Sequence, residues 1–304
     1  MAPLSAPPPP SARQALADLR ARIDRIDEAL HELLRERAEV VDQVRALKGH
    51  QNLYIRPGRE AQMLRVLAGR PSGKLPEGLV VRLWREMISA FTLQEGTLKA
   101  AVFAPPKGPD LWDLARDHFG AFTPLLEEPT AKEALQAVRD GKATVAVLPP
   151  PTEGEKAPWW PLLLEPATKD SLVVFAMLPF EPLRPGRGNA RRALPMGLIV
   201  GPLDPELTGN DRSFLALTGT HVTEVELRRV LGKAGYKVRQ TFVHAPRRAA
   251  SAPLHVLAEV EGYVGRADTR LGRVRAMMGS RLQSLTSLGG YAAPLKVPGR
   301  TKVG

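Results

Sequence analysis

Residues 11–48 contain neither Gly nor Pro, and this stretch constrains the fold more than any other. Its apolar residues fall at Leu16, Leu19, Ile23, Ile26, Leu30, Leu33, Val40, Val44 and Leu47. They step by threes and fours, the period that keeps one stripe on one side of a helix. A helix of about 36 residues is about 54 Å long at 1.5 Å per residue. Two shorter helical stretches follow, about 57–68 with Pro57 near its start, and about 77–95 with Leu79, Val80, Leu83, Trp84, Met87, Ile88 and Phe91 along one side. They cannot cover so long a seam, so a second copy of the chain is expected along it.

One position breaks the stripe. Where the step from Leu33 calls for an apolar residue, the chain has Arg37. Two readings follow: the guanidinium snorkels to solvent at the edge of the seam, or it is held inside a helical bundle to bind an anion. Lys48 lies 11 residues further on, within about 20° of the same face and about 16 Å along the axis. The two side chains can therefore grip opposite ends of one small molecule. Arg20, 17 residues before Arg37, is about 25 Å away along the helix. It reaches an equivalent site only on a partner chain.

The rest of the chain changes character. Strand patterns at 98–104, 122–127 and 144–148 alternate with helical ones at 110–119 and 131–140, which indicates a parallel α/β layer. Two more strand-like stretches, 171–178 and 196–200, flank an Arg- and Gly-rich loop over 184–192, read as a solvated connector because no aromatic residue interleaves with its arginines. From Asn210 the order is βαββαβ, with helices at 223–234 and 268–278, the ferredoxin-like arrangement. Residues 1–10 read as a Pro-rich disordered tail, and 294–304 as a second tail.

Composition narrows the chemistry. Among 304 residues there is no Cys, which excludes a disulfide-stapled scaffold, a thiol nucleophile and metal–thiolate centres. No apolar run reaches the ~18–20 residues of a membrane span, and the N-terminus has neither a basic nor an apolar leader region. A cytoplasmic protein without membrane association is the expectation. The formal net charge of +11 suits anionic partners. Residues 11–95 hold 15 basic and 12 acidic side chains, against 28 and 20 over 99–304, so most of the excess lies outside the helical region.

The segment Leu19-Arg20-Ala21-Arg22-Ile23-Asp24-Arg25-Ile26-Asp27, with Leu33-Leu34-Arg35-Glu36-Arg37, Lys48, Arg59-Glu60, Arg82-Leu83-Trp84-Arg85-Glu86 and Glu95, resembles the all-helical, AroQ-type chorismate mutases across residues 11–95. The resemblance implies a three-helix, intertwined homodimer that rearranges chorismate to prephenate without cofactor or metal and without nucleic acid as a partner. It implies that Arg37, Arg59 and Arg20 of the partner chain grip the two substrate carboxylates, that Lys48 donates to the ether oxygen, and that Glu60 accepts from the ring hydroxyl. Glu95 stands where many members have glutamine as a second donor, a role a carboxyl fills only when protonated. Phe91 replaces a small hydroxyl residue, and Arg56 replaces an acidic one. Asp27 is read as structural.

Beyond this region the sequence resembles, more weakly, the prephenate dehydratase and ACT regulatory domains that follow such a mutase in a bifunctional arrangement. Leu98–Phe103 with Pro105 and Gly108, the stretch EALQAVRDGKATVAVLP from Glu133, and HVLAEVEGY with SLTSLGGY near the C-terminus carry it. A reduced α/β dehydratase-like region over 98–208 and an ACT-like domain over 210–293 are implied. The dehydratase Thr-Arg-Phe motif is absent: its place reads Pro195-Met196-Gly197, and Thr168-Lys169-Asp170 lacks the arginine and the aromatic. The Glu-Asn-Ser signature gives way to Pro149-Pro150-Pro151. The ACT effector signatures are replaced by Thr220-His221-Val222-Thr223 and Phe242-Val243-His244-Ala245-Pro246. The expectation is a mutase without dehydratase activity and without phenylalanine feedback, with His244 and His255 as ordinary polar residues. The alternatives are a bifunctional mutase–dehydratase using another site, and a non-catalytic sensor or scaffold.

Overall fold

The computed structural model of the chain describes residues 12–49, 54–71, 73–76, 78–107, 110–164, 171–181, 196–245 and 253–295. The tail over 1–10, the loop over 184–192, Thr168-Lys169-Asp170 and Pro195 lie outside them. The chain divides into two compact units, Met1–Gln51 and Asn52–Gly304.

In the first unit the described residues form one helix, α1 (Ala12–Lys48), which buries none of its residues. Its seam is open: Leu19, Ile23, Leu30 and Leu33 each keep more than half of their surface exposed. A stripe of this kind in water is a surface that another helix would cover.

The second unit begins with α2 (Pro57–Ala68) and α3 (Leu79–Glu95). They are followed by β1 (Ala100–Phe103), α4 (Trp112–Phe119), β2 (Leu125–Glu128), α5 (Ala131–Arg139), β3 (Val145–Leu148), β4 (Val173–Leu178) and β5 (Gly197–Gly201). Then come β6 (Asp211–Gly219), α6 (Glu224–Ala234), β7 (Val238–His244), β8 (Leu254–Glu261), α7 (Thr269–Met278) and β9 (Leu282–Ala292). Caps set several helix starts: Thr130 accepts from the Glu133 amide, Thr223 from the Glu226 amide and Asp268 from the Arg270 amide, each satisfying a donor the helix leaves open. A 3-10 turn over Trp160–Leu163 has no counterpart in the sequence reading.

The strands form one nine-stranded sheet among the described residues, ordered β2-β1-β3-β5-β4-β9-β6-β8-β7. The parallel layer expected from the strands at 98–104, 122–127 and 144–148 is present, and the two later strands depart from it. β1, β2 and β3 are parallel, but β5 runs antiparallel to both β3 and β4. β3 and β4 therefore run in the same direction, and the reversal falls at β5, which lies between them. The last four strands have the order β9-β6-β8-β7 with α6 and α7 on one face, which is the ferredoxin-like unit.

Alternation along the strands builds two cores. Val102, Val145, Val147, Phe175 and Ile199 face α4, whereas Ala101, Ala146, Leu148, Leu198 and Val200 join α5 and the Trp159-Trp160 pair. The second core continues through Phe214, Ala216, Phe242 and Leu257, so the α/β region and the ferredoxin-like region share one interior. Gly289 and Gly290 permit the join. A Cβ on either would lie 2.2 Å from a carbonyl oxygen, that of Val174 or of Arg212 respectively, and Gly289 also has φ +87, a conformation disfavoured by any side chain. β4 and β9 pair through Val174 and Gly289.

Candidate active site

The six sequence-predicted residues divide between the two units. Arg20, Arg37 and Lys48 lie on α1; Arg59, Glu60 and Glu95 lie on α2 and α3. Along α1, Arg20 is exposed whereas Arg37 and Lys48 are each partly buried.

In the second unit, Pro57 occupies the start of α2 and places Arg59 and Glu60 in its first turn and a half. Arg59 is exposed and makes no hydrogen bond or ion pair with a described residue. A free guanidinium at a helix start is suited to bidentate recognition of a carboxylate. Glu60 is different. Its Oε2 accepts from Arg85 Nη1 on α3 at 2.8 Å, and both side chains are largely buried. Burial pushes the Glu60 carboxyl above its usual range, while Arg85 and the Arg56 main-chain amide pull the other way. Arg85 itself is lowered by burial and supported by Glu60. Its guanidinium also lies 5.6 Å from the centre of the Phe180 ring, a cation–π distance.

Glu95 ends α3, half-buried. The next residue, Gly96, lies so close to the buried Tyr54 ring that a Cβ would come within 2.6 Å of it. The end of α3 is therefore fixed by a ring packed on bare backbone. Phe91, one turn earlier, is partly buried.

Sequence reasoning missed the partners that hold α2. Arg56, noted only as a departure from an acidic position, forms an ion pair with Glu206. Glu206 Oε2 also accepts from the Gly58 amide at 3.0 Å. Arg56, Arg59, Gln62, Glu206 and Leu207 line one shallow groove of about 430 Å³. One turn further along, Arg65 donates to the Thr208 carbonyl at 2.6 Å, the Asn210 carbonyl at 2.9 Å and the Ala293 carbonyl at 3.2 Å. No local spacing links positions 148 residues apart, so only the Pro57-Gly58 start, which leaves α2 without a side-chain cap of its own, hinted that something distant supplies one.

His244 and His255 pack ring on ring at 6.3 Å, with Thr218 Oγ1 3.0 Å from His255 Nδ1. Both contacts join neighbouring strands of the sheet.

Residues 19–96 match the family described as chorismate mutase type II, a span that contains all six candidate residues. Over 142 residues the chain is 34% identical to the bifunctional chorismate mutase/prephenate dehydratase of Pseudomonas aeruginosa, covering 44% of this chain and 38% of that one. Among solved structures, a quorum quenching acylase covers 67% of this chain and 98% of its own at 19% identity and a TM-score of 0.46. A prephenate dehydratase from Streptococcus mutans covers 66% of this chain and 100% of its own at 14% identity and a TM-score of 0.44. The chain spans 35–40% of the length of the curated relatives it matches. Among the described residues, no helix is long and apolar enough to cross a membrane.

Proposed function

We propose that the chain is a chorismate mutase acting as a homodimer, with a mutase domain over 11–95, a reduced dehydratase-like region over 98–208 and an ACT-like domain over 210–293. The observation that carries the reading is the family match over residues 19–96, because every residue the chemistry requires falls inside it.

The rearrangement breaks a C–O bond and forms a C–C bond within one molecule, so no nucleophile is needed. The substrate carries two carboxylates, and negative charge grows on the ether oxygen in the transition state. Holding the reactive conformer and presenting fixed donors to that oxygen supply the rate. Arg37, Arg59 and Arg20 from a second copy grip the carboxylates, Lys48 donates to the ether oxygen, Glu95 takes the second-donor position, and Glu60, anchored by Arg85, accepts from the ring hydroxyl. The open seam of α1 supports the dimer, since it offers an apolar stripe long enough to bring Arg20 to another copy's site.

Purified protein should deplete chorismate absorbance, and Arg37→Ala should reduce kcat/KM by about 10²-fold or more, as expected when a charge-assisted contact to a bound carboxylate is lost. No depletion by the wild type would overturn the assignment.

A second reading, a bifunctional mutase–dehydratase, is favoured by the curated relatives, since the 142-residue similarity extends beyond the length of the mutase match. The lost Thr-Arg-Phe and Glu-Asn-Ser motifs favour the mutase alone. Trp159 Nε1 donates to the Pro149 carbonyl at 2.9 Å, so the Pro149-Pro150-Pro151 stretch is engaged in the protein's own packing. Prephenate supplied to the protein should persist; phenylpyruvate appearing at neutral pH faster than in buffer would establish the second reading.

A further inference from the structure

We propose that Glu206 is a positioning residue for the turn of α2 that carries Arg59 and Glu60, so that the segment entering the ferredoxin-like unit sets how well the mutase site holds its substrate. The inference rests on the mutase reading above.

Three observations converge. First, α2 has no side-chain cap from its own N-terminal residue, Arg56, and the first amides of a helix need an acceptor. Glu206 supplies one, accepting from Gly58 N–H at 3.0 Å, and places a negative charge where the helix dipole favours it. Second, the same carboxylate pairs with Arg56. The charge of Arg56 is thereby engaged by the protein, and Arg59, one residue beyond Gly58, keeps its guanidinium available. Third, the approach is close enough to require glycine: a Cβ on Gly58 would meet Glu206 Cβ at 2.8 Å and the Leu207 carbonyl at 3.0 Å. The contact is thus a fitted one between backbone and strap. Arg65, bonded to Thr208 and Asn210 carbonyls, fixes the strap a second time two turns along the helix.

Arg59 is assigned to a carboxylate that is present in both chorismate and the transition state. Misplacing it removes uniform binding, which raises KM and leaves kcat nearly constant. A purely architectural role for Glu206 would instead lower thermal stability and leave KM alone.

The test is steady-state chorismate turnover by full-length wild type, Glu206→Ala, Glu206→Gln and Gly58→Ala, with a melting curve for each. Glu206→Ala should raise KM about tenfold with kcat within about twofold. Glu206→Gln, which keeps an acceptor for the Gly58 amide, should recover part of that loss. Gly58→Ala displaces the strap from the other side and should reproduce the KM effect; it and Glu206→Gln carry the test if Glu206→Ala does not fold. Folded variants with wild-type KM, or a fall in kcat at unchanged KM, would overturn the proposal while leaving the mutase reading intact. A wild type inactive on chorismate would overturn both.

Discussion

Arg85 Nη1 lies 2.8 Å from Glu60 Oε2, joining α3 to α2 through a pair whose side chains are only 11% and 15% exposed. Each charge is tolerated because the other is present, since a lone buried ion loses its hydration without compensation. Glu60→Ala should therefore destabilise the fold by about 3–5 kcal/mol, whereas Glu60→Met with Arg85→Met should cost far less. Urea unfolding of the two variants checks this. The double variant, if folded, should still lose mutase activity, which separates the structural duty of Glu60 from its assigned catalytic one.

His118, on α4, is held well below the usual imidazole range by burial and by the nearby Arg85 charge. It stays neutral in the folded protein while the unfolded chain takes up a proton below about pH 6.5. The stabilisation is complete above that pH and is lost as pH falls through the window beneath it, by at most about 1.4 kcal/mol per pH unit. His118→Asn should flatten the dependence of unfolding free energy between pH 7 and 5. An unchanged slope would show that His118 does not govern it.

If Arg20 serves a neighbouring copy, inactive Arg20→Ala and Arg37→Ala variants should complement one another. In a mixed dimer one site receives both wild-type arginines and the other receives neither. Random mixing should restore about a quarter of the wild-type sites, given two-fold symmetry. Co-refolding the variants and assaying chorismate turnover measures this, and no recovery would place both arginines in the same chain's site.

Gly289 and Gly290 sit where β9 passes between β4 and β6. Gly290→Ala should destabilise by about 1–3 kcal/mol through overpacking against the Arg212 carbonyl. Gly289→Ala should cost roughly 1–2 kcal/mol more for its left-handed backbone. Thermal unfolding should rank the two in that order.

Much of the fold was legible because it is written in local periods. The threes and fours of Leu16 to Leu47 specify α1, and the alternation around Val145 to Leu148 specifies β3. The βαββαβ order of the last region is readable from element types alone. Sheet direction was not: nothing in Leu198-Ile199-Val200 says whether the strand runs with β3 or against it, because an apolar strand fits either ladder. The candidate residues were equally legible by type and spacing, yet their partners were not. Arg85 could be quoted as part of a motif, but its burial against Glu60 depends on two helices meeting.

By itself, the sequence determined the helical seam, its interruption at Arg37, the spacing to Lys48, and the absence of any thiol chemistry. These are properties of one helix or of composition, and they need no knowledge of distant residues. Only the tertiary structure decided that Glu206 caps α2, that Arg65 binds the strand-entry strap, and that a diglycine joins two regions into one sheet. Each of these depends on atoms brought within about 3 Å across roughly 80 to 230 residues of chain, and hydrogen bonds and close packing act only at that range.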